Sequence, residues 1–221
     1  MLSLRSWQPA VAAFAAAASF VVLAPAASVA APAELPPPLS PAAAYQRLSE
    51  LTVADPRPMQ GYSRARFPHW TQRGEDCDTR EVVLARDGED VKQDERCRAV
   101  SGTWFSEYDG RTFTSGSELD IDHVVPLAEA WRSGADAWTD AQRRRFANDL
   151  DGPQLIAVSA ASNRSKGDQP PDQWRPPRRG YWCTYGRAWV DVKSRYELTV
   201  TGPELDALAD MISTCDWTDG G

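Results

Sequence analysis

Histidine is scarce in this sequence, which contains only His69 and His123. It has no HExxH motif, and no two cysteines are spaced as CxxC. The common structural and catalytic zinc sites need such clusters of imidazole and thiolate ligands. The sequence therefore gives no support to a zinc finger or to a zinc-dependent protease.

Long apolar runs are also missing, except for one near the N-terminus. It extends over Ala10–Ala24, follows the single basic residue Arg5, and precedes the small residues Ser28–Ala30. A membrane-spanning helix needs about 20 apolar residues, so this run is short for one. We predict that residues 1–30 are a cleaved secretory signal and that the protein is extracellular, without membrane contact after cleavage.

Basic residues are in deficit, since 24 Lys and Arg stand against 31 Asp and Glu, a formal net charge of −7. This total is not typical of a nucleic-acid-binding protein, which usually carries a basic surface. The charges are unevenly distributed, however. The segment Arg143–Arg179 contains eight basic and four acidic residues. Two interpretations stay open: a solvated face, or a patch that guides a polyanion.

Cysteine occurs four times, at Cys77, Cys97, Cys183 and Cys215. An even number of cysteines in an exported chain predicts two disulfides. Sequence alone permits three pairings. The nearest-neighbour pairing, Cys77 with Cys97 and Cys183 with Cys215, would link one region on each side of His123.

Residues 31–41 are rich in proline and alanine and predict a semi-rigid spacer. We expect residues 42–221 to form one domain of the α+β class. The predicted helices are 41–51, 126–135, 139–150, a short one beginning near 160, and 202–215. The predicted strands are 80–88, 152–159 and 189–200, with a hairpin over 102–113 that turns at Asp109-Gly110. Trp104, Phe105 and Tyr108 are predicted core residues.

The stretch "LDIDHVVPLAEAW" places His123 directly after Asp122. Hydrolysis of a phosphodiester needs a base to deprotonate water, and an imidazole suits this task because its unperturbed pKa is about 6.5. It also needs charge neutralisation at the phosphate, which a divalent cation with oxygen ligands can supply. Neighbouring side chains of a strand point to opposite faces, so both residues can serve one site only if the backbone bends there, as Pro126 allows.

A second motif, "SNRSKGD", follows about forty residues later. The amide oxygen of Asn163 can ligate a metal, and Lys166 falls on the same helix face at position i+3. The two side chains could therefore meet one phosphate.

Together, "DIDHVVP", "ANDL", "LIAVS", "SNRSKGD" and "WRPP" resemble segments of the HNH, or ββα-metal, nuclease superfamily. The combination is most similar to a family of exported bacterial proteins whose domain also forms the C-terminus of GmrSD-type restriction enzymes. The resemblance covers roughly Trp70 to Cys215, with its core motif at about 118–177. It implies a ββα-metal core with added short strands and helices.

The resemblance also implies a role for each matching residue. His123 would be the general base, and Asp122 and Asn163 would be metal ligands. Asn148, in "ANDL", would hold the histidine loop, although it lies farther from His123 than in compact HNH motifs. Lys166 would lie near the phosphate. The implied cofactor is a divalent cation, Mg²⁺ first and Mn²⁺ next.

Four other residues are candidates for the site, each with a less specific role. Asp120 matches an acidic position before the Asp-His pair, and Arg164 could support the site or contact phosphate. Arg80 could contact phosphate or form a structural salt bridge. His69 is either a second active-site imidazole or a packed side chain.

These expectations combine into a secreted, monomeric, metal-dependent endonuclease. It would hydrolyse DNA, and RNA less readily, with little sequence specificity. The alternative is a secreted module that keeps the HNH fold, binds nucleic acid or protein, and has lost turnover.

Overall fold

A computed structural model describes residues 35–74 and 76–216 of the chain. The predicted signal, residues 1–30, and the first part of the predicted spacer lie outside these ranges. The described part is a mixed α+β domain, as expected. Its seven α-helices are α1 (Pro41–Glu50), α2 (Thr79–Asp87), α3 (Leu127–Arg132), α4 (Asp140–Ala147), α5 (Ala160–Lys166), α6 (Trp182–Arg195) and α7 (Gly202–Ser213).

The strands of the described part form three small antiparallel sheets. They are β1 (Gln72–Gly74), β2 (Cys77–Asp78), β3 (Gly88–Gln93), β4 (Ala99–Ser106), β5 (Arg111–Phe113), β6 (Leu119–His123) and β7 (Leu155–Ser159). The first sheet pairs β1 with β2, the second has the order β3-β4-β5, and the third pairs β6 with β7.

Capping residues set several helix boundaries that the sequence predicted. Ser40 caps α1 by accepting a hydrogen bond from the Ala43 N–H. Thr139 and Gln142 form a capping box at the start of α4. Gly134 follows the end of α3 with a φ of +128°, a conformation that side-chain-bearing residues rarely adopt. The predicted helices α1, α3, α4 and α7 are confirmed, as is the short helix predicted near residue 160, which is α5.

Two predicted strands are wrong, because both segments are helical. Residues 80–88 lie almost entirely in α2, where Asp78 caps the helix by accepting from the Glu81 N–H. Residues 189–195 belong to α6, and Val200 forms only an isolated bridge with Val53. Short runs rich in valine fit a strand and a buried helix equally well, and here tertiary packing selects the helix.

The hairpin β4–β5 and strand β7 are confirmed. Trp104 and Tyr108 are buried core residues, and Phe105 is a residue of β4 that is 44% exposed. Its position between two inward-pointing residues of β4 turns it to the opposite face of the strand.

Two apolar clusters flank the third sheet. One lies among the helices and includes Val158 and Trp189. The other includes Leu84 of α2, Trp104 of β4 and Ile121 of β6. Because both faces of β6 and β7 are covered, the end of β6 is held inside the domain.

Both disulfides have the nearest-neighbour pairing. Cys77 is bonded to Cys97, and Cys183 is bonded to Cys215. The first joins β2 to the segment before β4, and the second joins α6 to the end of α7.

The described part of the predicted spacer is attached to α6. The Leu39 N–H donates to Asp191 Oδ2 at 3.2 Å, and Arg187 Nε donates to the Leu39 carbonyl at 2.6 Å. Within residues 35–74 and 76–216, no helix is long and apolar enough to cross a membrane.

Candidate active site

The antiparallel strands β6 and β7, followed directly by α5, position the two motifs identified in the sequence. The register pairs Asp122 with Ile156 and His123 with Leu155. Asp122 and His123 therefore lie on opposite faces of β6, at its last two positions. Both nevertheless line one cleft of about 340 Å³, because the strand ends there. We call it the His123 cleft; it is also lined by Tyr62, Arg64, Ile121, Pro126, Leu127, Ala128, Asn163, Arg164, Gly167 and Asp168.

The His123 ring is held in one orientation by a backbone carbonyl. Its Nε2 atom lies 3.0 Å from the Ala147 carbonyl oxygen at the end of α4. A carbonyl only accepts, so Nε2 carries the hydrogen and Nδ1 is left with its lone pair. No hydrogen bond to Nδ1 is formed within the described residues. Burial lowers the pKa of His123 to about 3, so the ring is neutral near pH 7.

Two aromatic side chains pack against the His123 ring. Trp70 stacks on His123, with ring centroids 5.6 Å apart and planes inclined by 28°. His69 approaches edge-on, with centroids 6.4 Å apart. Both nitrogens of His69 are engaged, Nδ1 with the Phe67 carbonyl at 2.8 Å and Nε2 with Arg64 Nε at 3.4 Å. His69 therefore orients Arg64 and has no nitrogen left to act as a second base.

The loop after His123 is held by Gln154, a residue that the sequence analysis did not single out. Its Oε1 accepts from the Val125 N–H at 3.1 Å, and its Nε2 donates to the Val125 carbonyl at 2.9 Å. Gln154 immediately precedes β7 and is fully buried. Its place directly before an apolar strand was the one signal available in the sequence.

The Asn148 side chain contacts the segment before β1 and the start of α2. It binds the Thr71 N–H, Thr79 Oγ1 and the Pro68 carbonyl, at 3.0, 2.9 and 2.7 Å. It thus anchors the segment that carries His69 and Trp70, whereas the direct contact with the histidine loop comes from Gln154.

One oxygen of Asp122 is fully engaged. Oδ2 accepts from Tyr108 Oη at 2.5 Å and from Lys166 Nζ at 2.6 Å. Burial raises the pKa of Asp122, and the Lys166 ammonium opposes that rise. Oδ1 accepts no hydrogen bond within the described residues. The buried side-chain atoms without a partner in that part of the chain are Arg86 Nη1, Arg143 Nε and Tyr185 Oη. Oδ1 has no partner there and is not one of these buried atoms, so it is accessible to solvent. Because Asp122 lines the His123 cleft, Oδ1 is the oxygen that reaches this cleft.

Lys166 lies inside the protein, which differs from the expectation that it contacts phosphate. It is fully buried, and its Nζ also donates to the His123 carbonyl at 2.8 Å. Burial lowers the pKa of Lys166, and Asp122 opposes this effect. Lys166 thus positions Asp122 and the end of β6.

Asn163 and Asp120 meet on the side of the cleft formed by α5. Asn163 Nδ2 donates to Asp120 Oδ2 at 3.1 Å, which leaves the amide oxygen of Asn163 without a partner among the described residues. Arg164 Nε lies 3.9 Å from the same Asp120 oxygen and is mostly exposed. The hydrogen bond to Asp120 therefore orients the Asn163 amide.

The donor atoms suit a hard cation. Oδ1 of Asp122 and the amide oxygen of Asn163 belong to side chains that line the same cleft. Within the described residues no three His, Cys, Asp or Glu side chains converge as a closed metal cage. Mg²⁺ is commonly bound by only one or two protein carboxylates, with water and phosphate as its other ligands, so this donor set fits it.

Two arginines differ in their relation to the cleft. Arg64 lines it, and its Nη atoms have no partner within the described residues. Arg80 lies elsewhere, where its Nη2 donates to the carbonyls of Gly116 and Leu119 at 3.1 and 3.2 Å and its Nη1 pairs with Glu81 at 2.8 Å. Arg80 therefore supports the start of β6, and Arg64 is the cleft arginine that the sequence analysis missed.

The family model described as GmrSD restriction endonucleases, C-terminal domain, matches residues 76–211. The chain belongs to this family. No solved structure matches the chain.

A relative from Arthroderma benhamiae, named "Uncharacterized secreted protein", is 55% identical over 190 residues, which is 85% of this chain and 93% of the relative. That relative is fungal, whereas the resemblance had implied a family of bacterial proteins. Proteins of this kind are therefore not confined to bacteria. The prediction of an extracellular protein is confirmed by this relative and fits the two disulfides.

Proposed function

We propose that this protein is a metal-dependent endonuclease of the HNH type, with β6, β7 and α5 as its ββα-metal core. Residues 42–221 form the nuclease domain, with the core motif at about 118–177. The observation that carries the proposal is the pairing of His123 Nε2 with the Ala147 carbonyl at 3.0 Å, which leaves Nδ1 as a neutral base beside Asp122 and Asn163.

The reaction begins with a proton transfer to His123. Nδ1 accepts a proton from a water molecule, and the hydroxide oxygen forms a bond to phosphorus while one P–O ester bond breaks. The departing oxygen takes a proton from solvent. The imidazolium that forms stays hydrogen-bonded to the Ala147 carbonyl and returns its proton to water.

Asp122 and Asn163 would hold the divalent cation, which supplies charge neutralisation at the phosphate when bound. Lys166 and Tyr108 keep Oδ2 of Asp122 occupied, so that Oδ1 is presented to the cleft. Arg64 and Arg164 add positive charge at the rim. Arginine contacts to phosphate carry no sequence information, so we propose little sequence preference, with DNA as the main substrate and RNA as a weaker one.

The test is plasmid nicking by oxidised residues 31–221 with Mg²⁺, with Mn²⁺ or with EDTA. We expect cleavage only with a cation, and loss of cleavage in His123→Ala and Asn163→Ala. Added imidazole should restore part of the activity of His123→Ala and none of that of Asn163→Ala. Arg47→Gln, an exposed change on α1, is the control for copurifying nucleases and should match the wild type.

Cleavage that survives His123→Ala would disprove the assignment of the base. If the wild type binds DNA but cleaves neither DNA nor RNA with any cation, the protein is a binding module that keeps the fold.

A further inference from the structure

A second, larger cleft is lined by Thr71, the residue after Trp70, and by residues of α4 and the loop that follows it. Its volume is about 780 Å³, and four arginines line it: Arg73, Arg144, Arg145 and Arg195. We call it the arginine cleft. Three aspartates, Asp140, Asp149 and Asp151, also line it.

The acidic side chains of the arginine cleft are mostly engaged. Asp140 pairs with Arg143 at 2.7 Å. Asp149 is buried and accepts from Tyr196 Oη at 3.0 Å and from the backbone N–H groups of Asp151 and Gly152.

Among the arginines, only Arg195 has a carboxylate partner, Asp191 at 2.6 Å. Arg73, Arg144 and Arg145 have no carboxylate partner within the described residues. Asp140 and Arg195 are paired with charged partners outside the cleft lining, so Arg73, Arg144 and Arg145 remain against Asp149 and Asp151. The cleft therefore keeps a small excess of positive charge, which favours an anion.

Arg73 is held in place by uncharged groups. Its Nη2 donates to the Asn148 carbonyl at 2.7 Å, and its Nε donates to Thr79 Oγ1 at 3.2 Å. Nη1 is left free among the described residues. A guanidinium fixed in this way loses little further freedom when it binds a phosphate, which favours binding.

Two chain segments connect the arginine cleft to His123. Asn148 lines the cleft, and the residue before it, Ala147, binds His123 Nε2. Thr71 also lines the cleft, and the residue before it, Trp70, stacks on the His123 ring. The residues that hold the His123 ring are therefore next in the chain to residues that line the arginine cleft.

We propose that the arginine cleft binds the phosphate backbone of a nucleic acid, beyond the bond that is cut at His123. The position relative to the cut rests on the proposed function; the affinity for a polyanion does not. Arg144 and Arg145 supply the contacts to successive phosphates, and Arg73 supplies a fixed one. Of the eight basic residues in the segment Arg143–Arg179, only Arg144 and Arg145 line this cleft.

The test is fluorescence anisotropy of a labelled DNA duplex with His123→Ala in EDTA, where cleavage cannot interfere. The variant Arg144→Gln/Arg145→Gln is compared with Arg47→Gln/Arg96→Gln, which removes the same charge from exposed sites outside both clefts. We expect the first pair to weaken binding about tenfold at 0.1 M salt and to reduce the slope of log K against log salt by about 2, and the second pair to do neither.

Equal affinities and salt slopes for the two pairs would overturn the inference. Hydrolysis of bis(p-nitrophenyl) phosphate, which is too short to reach the arginine cleft, separates this inference from the proposed function. The inference requires that substrate to be cleaved equally by the wild type and by Arg144→Gln/Arg145→Gln. If the wild type hydrolyses no substrate while Arg144→Gln/Arg145→Gln still weakens DNA binding, the nuclease proposal fails. The inference that the arginine cleft binds a phosphate backbone is then retained.

Discussion

The Nε2 atom of His123 lies 3.0 Å from the carbonyl oxygen of Ala147, a residue 24 positions later in the chain. This bond joins the end of β6 to the end of α4 and decides which ring nitrogen can accept a proton. The ring is also buried against Trp70, and this burial affects the stability of the fold.

Acid should destabilise the protein through His123. Burial lowers its pKa from 6.5 to about 3, so the unfolded state binds more protons than the folded state between these values. The stability that the neutral His123 ring contributes is complete above pH 6.5 and is lost as pH falls toward 3. The loss in the free energy of unfolding is roughly 3 kcal/mol between pH 6.5 and 4. Urea unfolding of the metal-free protein across this range should show the loss, and His123→Asn should show a shallower dependence on pH. Equal slopes for the two proteins would contradict it.

Removing Gln154 should destabilise the histidine loop. Gln154→Ala leaves the buried N–H and carbonyl of Val125 without partners and opens a cavity, so we expect a loss of about 3 kcal/mol. Gln46→Ala, at an exposed position on α1, should change stability by less than about 0.5 kcal/mol. Urea unfolding measures both. Similar small losses for the two variants would mean that Gln154 does not hold the loop.

The buried pair of Lys166 and Asp122 predicts a compensating double variant. Lys166→Met leaves the Asp122 carboxylate buried without its cation, at a cost of about 3–5 kcal/mol. Lys166→Met/Asp122→Asn removes both charges and should recover part of that loss, although it stays inactive. Thermal or urea unfolding of the two single variants and the double variant completes the cycle. Additive losses would show that the two side chains are not energetically coupled.

The disulfide between α6 and the end of α7 should contribute substantially to stability. Cys183 and Cys215 are 32 positions apart, and closing a loop of that length stabilises the folded state by about 3–4 kcal/mol. Cys183→Ala/Cys215→Ala should lower the urea midpoint accordingly, with an unchanged site. The wild type in reducing agent is the comparison, and an unchanged midpoint in the variant would contradict the prediction.

Local signals in the sequence were sufficient for several elements. Ser40 and Thr139 act through bonds to residues three positions away, so the helices that they cap could be located without the rest of the fold. Segment 80–88 also has a local signal, since Asp78 caps α2 through the Glu81 N–H, but its valines favoured a strand in the prediction. Segment 189–200 has no such cap, and packing against the apolar cluster selects its helix.

The sequence by itself determined the family, the secretion of the protein, and the neighbouring positions of Asp122 and His123. Motif order and residue chemistry suffice for these, because they are properties of short segments. The tertiary structure decided the tautomer of His123, the burial of Lys166, the contact of Gln154 with the histidine loop, and the arginine cleft. Each of these depends on contacts between residues far apart in the chain, whose distances and burial are set only when the core packs.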